Sequence, residues 1–149
     1  MKAQVQLPVT ELKAYIPARD FELSKRFYVD LGFTLEWTGT DNSLACFGIG
    51  GARFFLQKVV ATFRPDYFMM HLLVPDVQGW WDHIREHKIA EKYQIKVEPP
   101  EDRPWGIRDL VVVDPSGVLW RIGQPIQKIN VMTSNQSSQP TGLGPDRGA

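Results

Sequence analysis

The chain has 149 residues, 43% of them hydrophobic, and its 17 basic and 17 acidic side chains cancel. That apolar content suits one ordinary core and excludes wholesale disorder, while a balanced charge argues against nucleic-acid or membrane-surface binding, both of which draw on a basic excess. A single cysteine, Cys46, permits no internal disulfide. The first eight residues lack the apolar core of a signal peptide and no apolar run reaches membrane-spanning length, so a cytoplasmic protein is expected.

In chain order, Leu12, Ala14 and Ile16 alternate with Lys13, Tyr15 and Pro17, which predicts a half-buried strand over 11–17. Asp20 stands where a helix N-cap belongs, Leu23, Phe27, Tyr28 and Leu31 recur at helical spacing, and Gly32 marks the stop. Phe33 to Trp37 reads as a strand and Thr38 to Asn42 as turn material. Leu44–Phe47 and Ala52–Val60 then form a hairpin around Gly48-Ile-Gly-Gly51, a turn rather than a nucleotide cradle.

After Arg64-Pro65-Asp66 the same grammar returns. Phe68 to Val74 is a strand, Asp76 a second N-cap, and Val77, Trp80, Trp81 and Ile84 fall on one helix face. Gln94 to Glu98 predicts a short strand and Pro99 to Asp102 a loop. A closing hairpin follows, Leu110–Val113 and Val118–Ile122 around Asp114-Pro-Ser-Gly117, whose residues suit a type I turn. Strand, helix, strand, strand, strand occurs twice, so a duplicated α+β unit is expected over 8–126, with modules at about 10–60 and about 66–126. Residues 127–149, rich in Ser, Gln, Pro, Thr and Gly from 133 onward, read as a largely flexible tail.

Two stretches carry a family likeness. Tyr15-Ile-Pro-Ala-Arg-Asp-Phe-Glu-Leu-Ser-Lys-Arg-Phe-Tyr-Val-Asp-Leu-Gly-Phe33 resembles the opening of the glyoxalase/bleomycin-resistance proteins of the vicinal oxygen chelate superfamily, and Pro104-Trp-Gly-Ile-Arg-Asp109 with Asp114-Pro-Ser-Gly117 resembles their closing motif. The resemblance implies tandem βαβββ modules whose curved mixed sheets enclose a ligand cleft. For the bleomycin-resistance branch it implies a homodimer with composite clefts.

Metal-dependent relatives place four ligands on cleft-facing strand positions, and counting from the motifs puts Lys13, Gln57, Met69 and Arg121 there. A divalent ion wants imidazole, carboxylate or amide oxygen, and two cations beside it repel it. No metal or other cofactor is therefore expected. His71 shares the strand face of Met69 and suits a hydrogen-bonded cleft or core histidine, while His83 and His87 lack the full His-Glu-x-x-His pattern and suit a solvated helix face.

Strand parity turns Lys13, Tyr15, Arg53, Phe55, Gln57, Met69, His71, Leu73, Leu119 and Arg121 toward the cleft. Leu12, Ala14, Ile16, Leu56, Met70, Leu72, Trp120 and Ile122 go to the core. Two roles stay open for Arg121, a salt bridge within the cleft or across a dimer, and a grip on an anionic or carbonyl group. Trp37 and Trp105 are candidates for stacking on a flat guest or for plain packing, and Arg108 for an ion pair or a ligand contact. The resemblance places the counterpart of Trp105 at a drug-binding groove. Bleomycin-sequestering relatives are strongly acidic, whereas this chain is neutral with Lys13, Arg53 and Arg121 in the expected cleft, which favours a neutral or anionic aromatic guest. The expected function is metal-free capture of an aromatic small molecule, of the antibiotic-resistance type, by Tyr15, Trp37, Phe55, Gln57, Met69, His71, Trp105, Arg108 and Arg121. The alternatives are a lyase, isomerase or dioxygenase of the same superfamily with a non-standard active site, and a ligand-free interaction dimer.

Overall fold

The structure is a computed structural model, and it describes residues 3–126. The tail expected at 127–149 lies outside the described residues. Strand β1 (Tyr15–Ala18), helix α1 (Phe21–Leu31) and strands β2 (Thr34–Thr38), β3 (Leu44–Ile49) and β4 (Ala52–Lys58) make the first module. Strand β5 (Met69–Leu73), helices α2 (Val77–Glu86) and α3 (Ile89–Tyr93), and strands β6 (Val97–Asp102), β7 (Ile107–Val113) and β8 (Leu119–Pro125) make the second. Sheet A runs β1-β4-β3-β2 and sheet B runs β5-β8-β7-β6, the same order twice. In each, the first strand pairs parallel with the last and the other pairs are antiparallel. The duplicated βαβββ reading holds.

Both main helices start where the sequence puts them. Asp20 accepts from Leu23 N at 3.1 Å and Asp76 from Gly79 N at 3.0 Å, satisfying backbone donors that a helix start leaves bare. Gly32 closes α1 with φ of +127°, a conformation that side chains resist.

One apolar core serves both modules. Phe47, Phe54 and Leu56 from sheet A, Leu110, Val112, Trp120 and Ile122 from sheet B, and Phe27, Tyr28 and Leu31 from α1 all belong to it. Trp120 of β8 meets Phe54 of β4 with ring centroids 5.5 Å apart. One face of each sheet therefore contributes to the shared core, and the other face of each is left outside it.

The modules are joined by a buried polar bridge. Tyr28 Oη donates to Asp114 Oδ2 at 2.6 Å and accepts from Trp120 Nε1 at 3.0 Å, while Asp114 Oδ1 accepts from Ser116 N and Val118 N. Arg19 adds its backbone N–H to Ser116 Oγ and its guanidinium to the Pro115 carbonyl. The Asp-Pro-Ser-Gly segment is thus more than a turn: it receives α1 of the other module.

Four details differ from the sequence reading. β1 starts at Tyr15 rather than residue 11, and Leu12, assigned to the core, is 90% exposed. Alternation alone predicted that strand, but the register pairs of β1 with β4 begin at Tyr15, with Phe55 N donating to the Ala14 carbonyl just before it. Pro99 to Asp102 belongs to β6 rather than a loop, because β6 is a sheet edge with a register shift between Glu98 and Glu101, where proline costs no ladder bond. The short helix α3 was not foreseen.

Candidate functional site

Alternation along the strands sends one set of side chains inward and leaves the other on two open sheet faces. On sheet A, Tyr15, Phe55, Cys46 and Trp37 are consecutive partners across all four strands, so they form one transverse row. Tyr15 and Phe55 rings lie 4.9 Å apart and Phe55 and Trp37 rings 5.8 Å apart. Tyr15 is 54% exposed and Trp37 45%. The register slips between Leu35 and Trp37, and this bulge lets Glu36 share the open face with its neighbour Trp37. Glu36 there receives both Arg53 Nε, at 2.9 Å to Oε2, and the Cys46 thiol. Burial first, then the Glu36 charge, pushes the Cys46 thiol up from its usual range. Gln57 lies two pairs along from the aromatic row, between Pro17 and Leu44.

On sheet B, Met69, His71 and Leu73 of β5 stand beside Leu119, Arg121 and Gly123 of β8. Asp109 is on the same face and almost fully buried, with Arg103 Nε 2.8 Å from Oδ1 and Arg121 Nη1 at 3.3 and 3.4 Å from its two oxygens. Gly123 leaves the room for this: a Cβ there would come within 2.7 Å of Ile107 Cγ2 and 3.0 Å of Asp109 Cβ.

The expected site residues therefore separate into groups. Tyr15, Trp37, Phe55 and Gln57 come together on sheet A, and Met69, His71 and Arg121 on sheet B. Within one chain the two groups lie on different sheets. Trp105 is 63% exposed in the turn between β6 and β7, where Gly106 takes φ of +84°. Arg108 alternates with Leu110 and Val112, so it falls on the inner side at the rim, paired with Asp102 at 3.0 Å. Lys13 and Arg53 do not leave sheet A basic as expected, because Lys13 pairs with Glu11 and Arg53 with Glu36. Sequence parity missed Glu36 because only the bulge turns it outward, and it missed Asp109 because the hairpin was started at Leu110.

Of the four positions counted from the motifs, only Gln57 carries a donor that a divalent ion takes. Lys13 is an ion-paired ammonium whose Nζ lies 5.3 Å from the Phe55 ring centre, and Arg121 is a guanidinium on Asp109. Among the described residues no three His, Cys, Asp or Glu side chains come together in a way that could hold a metal ion. A divalent ion does not fit this set.

Residues 9–122 match the profile of the Glyoxalase/Bleomycin resistance protein/Dioxygenase superfamily. The chain belongs to this superfamily. Among curated proteins none matches it. Among solved structures of similar fold is a bleomycin-binding protein complexed with bleomycin, 22% identical, with a TM-score of 0.67 over 78% of this chain and 98% of that one. A bleomycin resistance determinant encoded on the transposon Tn5 is 20% identical, TM-score 0.62, over 79% and 100%. TnmS3, an antibiotic binding protein from Streptomyces sp. CB03234, is 25% identical, TM-score 0.62, over 80% and 99%. No helix among the described residues of this superfamily member is long and apolar enough to cross a membrane.

Proposed function

We propose that this superfamily member is a metal-free binding protein that captures an aromatic small molecule, with sheet A of one copy facing sheet B of a second across each of two composite clefts. The observation that carries this reading is the aromatic row Tyr15–Phe55–Trp37, left open on sheet A, while the ammonium of Lys13 beside it and the guanidinium of Arg121 on sheet B stand where metal ligands would be needed. Aromatic faces hold flat guests by stacking and apolar burial, with no need of turnover chemistry. The bleomycin-binding protein and TnmS3, both antibiotic binders by name, share the fold and support the choice of guest class. On this reading Trp105, exposed at the β6–β7 turn, serves as a second stacking surface.

Two measurements test the proposal. Sedimentation equilibrium at tens of micromolar protein should give a dimer, and a monomer throughout would remove the composite cleft. A thermal-shift screen of aromatic antibiotics and aromatic acids should find compounds that raise the melting temperature by linkage. For any such compound, Phe55→Ala and Trp105→Ala should each weaken binding by about 1–3 kcal/mol, the usual loss for a stacked anchor. Unchanged affinity in both variants would refute the stacking site.

A further inference from the structure

The cations of the two open faces differ in how they are occupied. On sheet A, Arg53 is held by Glu36 through Nε and lies 4.0 Å from Glu11, and Lys13 is held by Glu11. On sheet B, Arg103 gives Nε to Asp109 and Nη1 to Glu101. Arg121 touches Asp109 through Nη1 alone, at 3.3 and 3.4 Å, and its Nε and Nη2 have no hydrogen-bond partner among the described residues. Those two N–H groups form one planar edge that matches a carboxylate. His71 is the direct register partner of Arg121, exposed and without a hydrogen-bond partner among the described residues.

We propose that Arg121 and His71 form an anion seat on sheet B, and that the captured guest is an aromatic acid whose carboxylate docks there. This rests on the capture reading above and narrows its ligand class. Asp109 supports the seat from beneath: Arg103, which it shares with Glu101, makes the shorter contact at 2.8 Å, and the longer contact to Arg121 orients that guanidinium through Nη1 while leaving its Nε–Nη2 edge open among the described residues. Met69 and Leu73, at two residues on either side of His71, are 53% and 56% exposed and give the ring an apolar floor beside the charge. The aromatic row of sheet A carries no unpaired cation of its own, so the acid end of the guest belongs on sheet B and the ring spans the two faces.

The test is calorimetric titration of the full chain with 1-naphthoate and with its uncharged counterpart 1-naphthamide. The acid should bind about tenfold or more tighter, the usual worth of a hydrogen bond to a charged group. Arg121→Gln should collapse that preference, Arg121→Lys should keep part of it, and His71→Leu should reduce it, with melting curves confirming that each variant is folded. Equal affinity of acid and amide in the wild type would overturn the seat while leaving aromatic capture standing. Persistence of the preference in Arg121→Gln would overturn it as well. Failure of both naphthalenes to bind would also overturn the seat, since a free guanidinium edge flanked by apolar side chains should register an aromatic acid; the capture reading is judged separately by the wider screen. Loss of the dimer in Arg121→Gln, with no acid preference in the wild type, would show that the guanidinium meets a carboxylate of a second copy instead.

Discussion

Replacing Tyr28 by Phe removes one oxygen atom from the join between the modules, and the structure says what that atom is worth. Tyr28, Asp114 and Trp120 are each at most 2% exposed. Without the hydroxyl, Asp114 Oδ2 loses its 2.6 Å donor and Trp120 Nε1 loses its 3.0 Å acceptor. Each buried orphan costs about 1–3 kcal/mol. The ring itself stays among Phe27, Phe33, Phe47, Phe54 and Trp120, so no cavity larger than the oxygen opens. Asp114 Oδ1 keeps its bonds from Ser116 N and Val118 N, which trims the total. A loss of about 2–4 kcal/mol is expected from urea unfolding at neutral pH, with an unchanged slope. The pH dependence gives an independent check. Burial raises the Asp114 pKa, and the Tyr28 hydrogen bond is the largest contribution opposing that rise. Removing the hydroxyl lifts the folded-state pKa further above the unfolded one. For a raised acid, stability falls as pH climbs from the unfolded pKa through the folded one, so the deficit of the variant should be larger at about pH 8 than at about pH 4.5. A deficit under about 0.5 kcal/mol, or one equal at both pH values, would refute the claim that this hydroxyl joins the modules.

Other outcomes follow from single buried atoms. Ser24 Oγ is buried with no hydrogen-bond partner among the described residues, so Ser24→Ala should be neutral or raise stability by up to about 1 kcal/mol in the same unfolding assay; a clear loss would mean that the hydroxyl has a partner. Gly123→Ala would bring a Cβ within 3.2 Å of the Arg108 carbonyl as well as against Ile107, and should cost about 1–3 kcal/mol by overpacking, with a melting temperature equal to wild type as the refuting result. Cys46 is 1% exposed with its thiol pKa pushed up by burial and Glu36, so Ellman's reagent at about pH 8 should label it only after denaturation; rapid labelling of the native protein would contradict the packing of the aromatic row.

What the sequence revealed, and what it concealed, divides along physical lines. Both helix starts were legible because an N-cap is a local event, settled by Asp20 and Asp76 within three residues. Inward and outward parity on β4, β5 and β8 was legible for the same reason, since alternation needs no knowledge of partners. What failed was whatever depended on a neighbouring strand. The first strand shortened to Tyr15 because pairing, not pattern, decides where a strand begins. Pro99 and Pro100 looked like loop residues, yet an irregular edge strand accommodates them. The bulge beside Trp37 reversed the parity of Glu36, and no feature of Thr-Leu-Glu-Trp announces it. The supposed basic cleft failed in part for the same reason, because Glu36 reaches Arg53 across strands only once the sheet has formed, while Glu11 pairs with Lys13 two residues away.

The duplication itself explains why so much apolar surface stays open. Each module has one sheet and can bury only one of its faces, and the chain uses both buried faces to build the shared core around Phe54, Tyr28 and Trp120. Nothing within the described chain remains to cover the other two. Tyr15, Trp37, Met69 and Leu73 are left 45–56% exposed on them, which is apolar area that water contact penalises. A guest alone would cover one face and leave the other bare. Two copies in antiparallel partnership would cover both, since each contributes one sheet A and one sheet B, and a closed twofold arrangement satisfies every face once. The ion pairs of sheet A would then meet, across each cleft, the Nε–Nη2 edge of Arg121 on sheet B, which has no partner among the described residues.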